Sequence, residues 1–112
     1  MKKIFAIPTA GGRLTPHFGR CEQFAIVETE NNKIVNEYSL DPPEHQPGTY
    51  PRFLADKNVD VIFAGGMGPK AQDLFTTNNI EVYMGVYEGE PAEIVNQYYK
   101  GQLQSGDNSC DH

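Results

Sequence analysis

Between residues 59 and 69 the chain reads Val59-Asp60-Val61-Ile62-Phe63-Ala64-Gly65-Gly66-Met67-Gly68-Pro69, and this stretch limits the possible folds most tightly. A near-continuous apolar run of that length is the mark of a strand covered on both faces, because a strand with one wet face alternates. Three glycines then allow a sharp turn, and Pro69 suits the first helical position, where its missing N–H is not needed. Ala71, Leu74 and Phe75 follow at i, i+3 and i+4, one face of that helix. A strand buried on both sides that runs straight into a helix belongs to a layered α/β arrangement.

The rest of the chain extends the pattern. Residues 3–8 read as a buried strand, ended by Pro8 and Gly11-Gly12. Residues 23–30 and 33–40 flank Asn31-Asn32, whose tolerance of positive φ predicts a hairpin. Asp41-Pro42-Pro43-Glu44-His45-Gln46-Pro47-Gly48 carries too much proline for regular structure. A helix starts near Pro51, with Phe53 and Leu54 opening its apolar face, and runs to about Lys57. Residues 80–84 form another strand, and Glu90-Pro91 opens a last helix with Ile94, Val95 and Tyr98 on one face and Gly101 as its stop. The order βββαβαβα predicts a mixed five-stranded sheet with one antiparallel strand and helices on its faces. Residues 1–101 are read as a single α/β domain, and residues 102–112 as a flexible polar tail.

Charge and composition narrow the partners. The 112 residues carry a net charge of −6, which argues against nucleic acid, whose phosphates are bound through clustered Lys and Arg. Pro8 cuts the early apolar run too short for a signal peptide, and nothing approaches the roughly 18 apolar residues of a membrane span. Two cysteines cannot build a disulfide framework, so Cys21 and Cys110 read as free thiols or ligands, in a chain whose expected location is the cytoplasm.

Two clusters carry the chemistry. His17-Phe18-Gly19-Arg20-Cys21 gathers an imidazole, a guanidinium and a thiol, and Cys110-Asp111-His112 repeats the soft ligands at the far end. In an open sheet, sites gather beyond the carboxyl ends of the parallel strands. That rule places the loop 9–21 and the loop 65–69 in one neighbourhood. His17 is a candidate metal ligand through its neutral imidazole, and Arg20 a counter-charge for an anionic cluster. Cys21 is a thiolate ligand or a buried packing residue, and Cys110 with His112 forms a Cys-x-His pair that reaches the site only if the tail folds back. His45 lies in the proline-rich loop and reads as a secondary ligand or a solvated side chain. Gly65, Gly66 and Gly68 bring backbone amides to the same place, at a helix N-terminus suited to anions.

Taken together, Ile7-Pro8, His17-Phe18-Gly19-Arg20, the segment 59–69, Ile80-Glu81-Val82-Tyr83 and the terminal Cys110-Asp111-His112 resemble the dinitrogenase iron-molybdenum cofactor biosynthesis family. That group includes NifX, NafY and the C-terminal part of NifB. The resemblance implies a ribonuclease-H-like three-layer fold and a role in binding or delivering iron-sulfur or molybdenum-iron-sulfur clusters. Cluster donor or acceptor proteins would be its partners, and the chain would act as a monomer or homodimer. Two cysteines are fewer than the four thiolates an iron-sulfur cubane usually takes, so histidine, a second chain, or charge and hydrogen bonds would complete the seat.

Other readings compete with a non-enzymatic carrier. Gly66-x-Gly68-x-x-Ala71 with Lys70 matches a dinucleotide fingerprint in outline, which makes a small-anion or nucleotide-binding module the alternative. A two-metal nuclease needs clustered carboxylates, yet the first strand carries no acid and Asp60 opens its strand at the opposite edge. A cysteine hydrolase would need an oriented histidine beside Cys21 and a third group to hold it. An interaction module whose metal site has lapsed is the remaining possibility.

Overall fold

The computed structural model describes residues 2–15, 21–43, 49–86, 88–101 and 103. The first strand, β1 (Lys2–Ala10), lies inside the sheet and sets up both layers of the core. Ile4 and Ala6 belong to one apolar cluster and Phe5 and Ile7 to the other, as the two-residue period of a strand requires. The expectation that Pro8 ends this strand is corrected: β1 continues to Ala10, with Pro8 opposite Phe24. A proline fits there because it engages its neighbours through its carbonyl, which accepts the Thr15 N–H at 2.9 Å. Gly11 and Gly12, at φ +64° and +82°, turn the chain where the strand does end.

That turn returns the chain as β2 (Arg13–Leu14), antiparallel to the last residues of β1. The element is an addition to the expected order, since two residues are too few to carry an apolar period. β3 (Gln23–Glu30) and β4 (Lys33–Leu40) form the expected hairpin, with Asn31 and Asn32 both at positive φ, as a type I′ turn demands. Pairing slips between Glu28, opposite Asn36, and Thr29, opposite Ile34. Val35 is therefore an extra residue on β4, a bulge. The chain continues as α1 (Thr49–Asp56), β5 (Val61–Phe63), α2 (Pro69–Thr77), β6 (Glu81–Tyr83) and α3 (Pro91–Tyr99).

The sheet is mixed and six-stranded, ordered β4-β3-β1-β5-β6 with β2 paired to β1 off that path. β5 and β6 run parallel to β1, while β3 is antiparallel to both of its neighbours. Helices cover both faces. Leu54 of α1 and Phe75 of α2 pack with Ile4, Phe24, Ile26 and Ile62, and Ile94 and Val95 of α3 pack with Phe5, Val27 and Phe63. On the α3 side, Phe5 stacks on Phe63 at 5.6 Å between ring centres and meets the Tyr98 and Tyr99 rings edge-on, geometries that aromatic quadrupoles favour. Thr29, fully buried, donates to the Lys3 carbonyl at 2.9 Å and lies 2.7 Å from the Tyr99 hydroxyl, so its burial leaves no polar atom unpaired. Among the described residues no helix is long and apolar enough to cross a membrane.

Candidate functional site

The carboxyl ends of β1, β5 and β6 share one edge of the sheet, and the loops beyond them are tied to one another. Ala64 donates to the Tyr83 carbonyl at 3.0 Å, Gly85 to Gly65 at 3.0 Å and Val86 to Ala64 at 3.1 Å, so the β5 and β6 chains stay paired past the ends of the strands. Leu14 donates to Gly89 at 2.9 Å, and the Glu22 N–H to the Thr9 carbonyl at 2.7 Å. The Glu22 carboxylate accepts the Gly11 N–H at 2.8 Å, and the Gln23 amide reaches Asp41 at 3.1 Å. This ring of contacts fixes the ground on which a ligand would sit.

Within it, Gly65, Gly66 and Met67 are buried and Gly68 is partly open. Gly68 caps α2 with extended backbone and no side-chain capping bond, and Pro69 follows it at the first helical position. The first-turn amides therefore lack intrahelical partners and carry the positive end of the helix dipole. Lys70 is exposed in the same turn. The other charges at this edge are mostly acidic: Glu22, Asp41, Glu88 and Glu90, with Arg13 held 3.6 Å from Glu90. An anion would have to be seated by backbone amides and by cations beyond these.

Cys21 stands at the start of the β3 approach, 8 % exposed, within the apolar cluster that includes Tyr50, Ala64 and Met67. Burial pushes its thiol up to about 11, outweighing a hydrogen bond from its own backbone that lowers it, so at neutral pH it is protonated. Tyr50 is raised too, chiefly by its own burial and then by Cys21. A protonated thiol in a core is a packing group first, and a ligand only after losing a proton it holds firmly.

His17, Arg20, His45, Cys110 and His112 lie outside the described residues. Their described flanks are informative. Thr15 and Cys21 bound the first pair, and Pro43 and Thr49 bound His45; the Cys21 and Tyr50 side chains share one cluster. Both loops thus leave from and return to the edge where the glycine turn lies. The tail is different. α3 starts at this edge, where Glu90 meets Arg13, and ends where Tyr98 accepts from Lys3 at 3.2 Å and Tyr99 meets Thr29, at the opposite edge. Nine residues past Gly101 span at most about 30 Å, close to the length of the nine-residue β1.

Among the described residues no group of three or more His, Cys, Asp or Glu is placed to hold a metal ion. Sequence reasoning passed over one residue of this edge, Gln72, whose side-chain amide donates to the Met67 carbonyl at 2.7 Å. Apolar periodicity assigns it only to the polar side of α2 and carries no signal that it turns back onto the preceding loop.

The family model described as dinitrogenase iron-molybdenum cofactor matches residues 1–101. The protein MJ0580 of Methanocaldococcus jannaschii is 41% identical over 83 residues, covering 70% of each chain. Among solved structures, PH0822 superposes with a TM-score of 0.83 at 26% identity, over 92% of this chain and 96% of its own. The apo form of the orange protein of Desulfovibrio gigas superposes with a TM-score of 0.78 at 22% identity, over 95% of this chain and 94% of its own, a likeness of fold.

Proposed function

This chain belongs to the dinitrogenase iron-molybdenum cofactor family, and from that premise we propose that it binds and carries an anionic iron-sulfur or molybdenum-iron-sulfur cluster as cargo, without transforming it. The observation that supports the reading is that the glycine turn 65–68 and the described flanks of segments 16–20 and 44–48 share one sheet edge. A sulfide-rich cluster is an anion. The α2 amides and the Gly68 N–H meet its sulfides by hydrogen bonds, and Arg20 supplies the cation that the acidic rim lacks. His17 and His45 are the ligands at hand, Cys110 and His112 complete the set from the tail, and Cys21 stays a packing thiol until a metal displaces its proton.

The five-strand path with its single reversed strand supports a ribonuclease-H-like reading of the fold. The nuclease chemistry associated with such sheets does not follow, because Asp60 is spent on the β1 backbone at the far edge. A single domain over residues 1–101 with a ligand-bearing tail, a cytoplasmic location, and cluster donor and acceptor proteins as partners complete the proposal. Nucleic acid and membranes are not expected among those partners, given the net charge of −6. The open first turn of α2 with Lys70 favours one competitor, a small-anion or nucleotide binder.

The test is anaerobic reconstitution with ferrous iron and sulfide, with and without thiomolybdate, followed by gel filtration. Visible absorption and metal per chain are read for the wild type, His17→Ala and Cys110→Ser. Bound metal that both substitutions diminish supports the carrier and its ligands. A colourless, metal-free wild type rejects cluster carriage and turns attention to phosphate and nucleotides.

A further inference from the structure

Gln72 grips two consecutive carbonyls of the glycine turn. Its backbone N–H donates to the Gly68 carbonyl at 3.0 Å, and its side-chain Nε2 donates to the Met67 carbonyl at 2.7 Å. No cis peptide is present among the described residues, and in a trans peptide the C=O and N–H point in opposite directions. Drawing the Met67 carbonyl toward α2 therefore turns the Gly68 N–H away from the helix and out of the turn. The next peptide offers no N–H, because residue 69 is proline.

The glycine itself is not required by its backbone angles. At φ −66° and ψ 157° it occupies backbone space open to any residue. A Cβ placed there would meet no atom of the described residues within 4 Å. As the cap of α2 the position favours glycine among several small and polar residues, but neither its φ nor its packing requires it. What glycine adds is an outward N–H with no side chain beside it, which is the requirement of a ligand that approaches the backbone closely.

We infer that Gln72 is a positioning residue of the cluster seat, fixing the Met67–Gly68 peptide so that the Gly68 N–H faces the bound anion, with glycine at 68 leaving the room for it. The inference rests on the cluster-binding reading above. It adds the residue that sets the direction of the backbone donor, and the reason a Cβ is absent where the fold would accept one.

Gly68→Ala, Gln72→Met and Gln72→Glu in the full chain test it. Each is reconstituted anaerobically with ferrous iron, sulfide and tetrathiomolybdate beside the wild type. Cluster retained after gel filtration, circular dichroism in the visible bands and the unfolding midpoint of the unloaded protein are measured. Gly68→Ala is expected to unfold close to wild type and Gln72→Met somewhat earlier, since it removes a partner of the Met67 carbonyl; both are expected to lower retention about ten- to a hundredfold, the worth of one hydrogen bond to a charged group. The visible dichroism should change, because it reports how the protein holds the cluster and not whether the protein is folded. Gln72→Glu, which replaces the donor with an acceptor, should lose more. Wild-type retention and dichroism reproduced by both Gly68→Ala and Gln72→Met would overturn the inference. A wild type that retains nothing defeats cluster carriage itself, a failure read without any variant. Should Gln72→Met not fold, Gly68→Ala still decides the matter, since its added methyl meets nothing among the described residues.

Discussion

Asp60 holds Ile4 through side chain and backbone together: its Oδ2 accepts the Ile4 N–H at 2.8 Å while its own N–H donates to the Ile4 carbonyl at 2.8 Å. The Asp60 carbonyl then accepts from Glu81 at 2.9 Å, so one residue ties β1 to the β5 and β6 side of the sheet. An acid that could be mistaken for a metal ligand serves as a splice in the sheet. Asp60→Ala should lower unfolding free energy by about 1.5–3 kcal/mol, the range for a hydrogen bond to a charged group. Urea denaturation would show the loss, and cluster retention per folded chain should stay at the wild-type level.

The Cys21 thiol predicts an alkaline weakness. Its folded value, raised by burial to about 11 from an ordinary 9.0, means that the unfolded chain loses the proton first. The stabilisation is fully present below pH 9 and is lost as pH rises through 11. Denaturation midpoints of the wild type should fall across that window more steeply than those of Cys21→Ala. With Cys110→Ser as background, a thiol reagent at neutral pH should label Cys21 only on unfolding; rapid labelling of the native protein would contradict its place in the core.

Thr29 and Tyr99 make a second test of buried polarity. Tyr99→Phe removes one partner of a hydroxyl that still donates to Lys3, and should cost about 1 kcal/mol. Thr29→Val takes the hydroxyl from both the Lys3 carbonyl, which keeps its place in the ladder, and Tyr99, and should cost about 1–3 kcal/mol. Equal losses in thermal unfolding would mean that the Lys3 bond contributes nothing.

Phe5 is the centre of the aromatic layer beneath α3, touching Phe63, Tyr98 and Tyr99. Truncation to alanine leaves a cavity that three rings cannot close, and should cost about 3–5 kcal/mol. Phe5→Leu, which fills more of the space, should cost clearly less when the two are compared by calorimetry.

Cluster binding should also weaken in mild acid. Histidine ligates as neutral imidazole, and an imidazole with an ordinary value of about 6.5 is mostly protonated at pH 5.5. Retention measured at pH 7.5 and pH 5.5 should fall for the wild type. Unchanged retention would remove His17, His45 and His112 as ligands.

Much of the architecture was legible because it rests on short-range chemistry. Asn31-Asn32 names its turn, the apolar run into Gly65 names its strand, and Pro69 and Pro91 mark where helices begin. Pro8 misleads because a strand that uses the carbonyl of that residue does not miss its N–H. β2 is set by the Gly11-Gly12 turn and by its contact with Gly89, and so by partners far along the chain. At the site, the parallel-strand rule names the edge, but the environment of Cys21 is decided by Tyr50 and Met67, distant in sequence. The exit of the tail from the opposite edge depends on the direction of α3 across the sheet, which no local pattern carries.

The bulge at Val35 bears on how these molecules behave when crowded. β4 is the outermost strand of its side, eight residues long, with Val35 and Tyr38 the large exposed apolar side chains of the described residues. A straight strand of that kind would be a template for another copy to add to, and for a third after it. The extra residue breaks the regular spacing of the outward N–H and C=O groups near the start of the strand, so an approaching strand finds no unbroken ladder along its full length. A strand of eight residues with no proline in it thus carries a single irregular residue that makes its edge a poorer template for fibre growth.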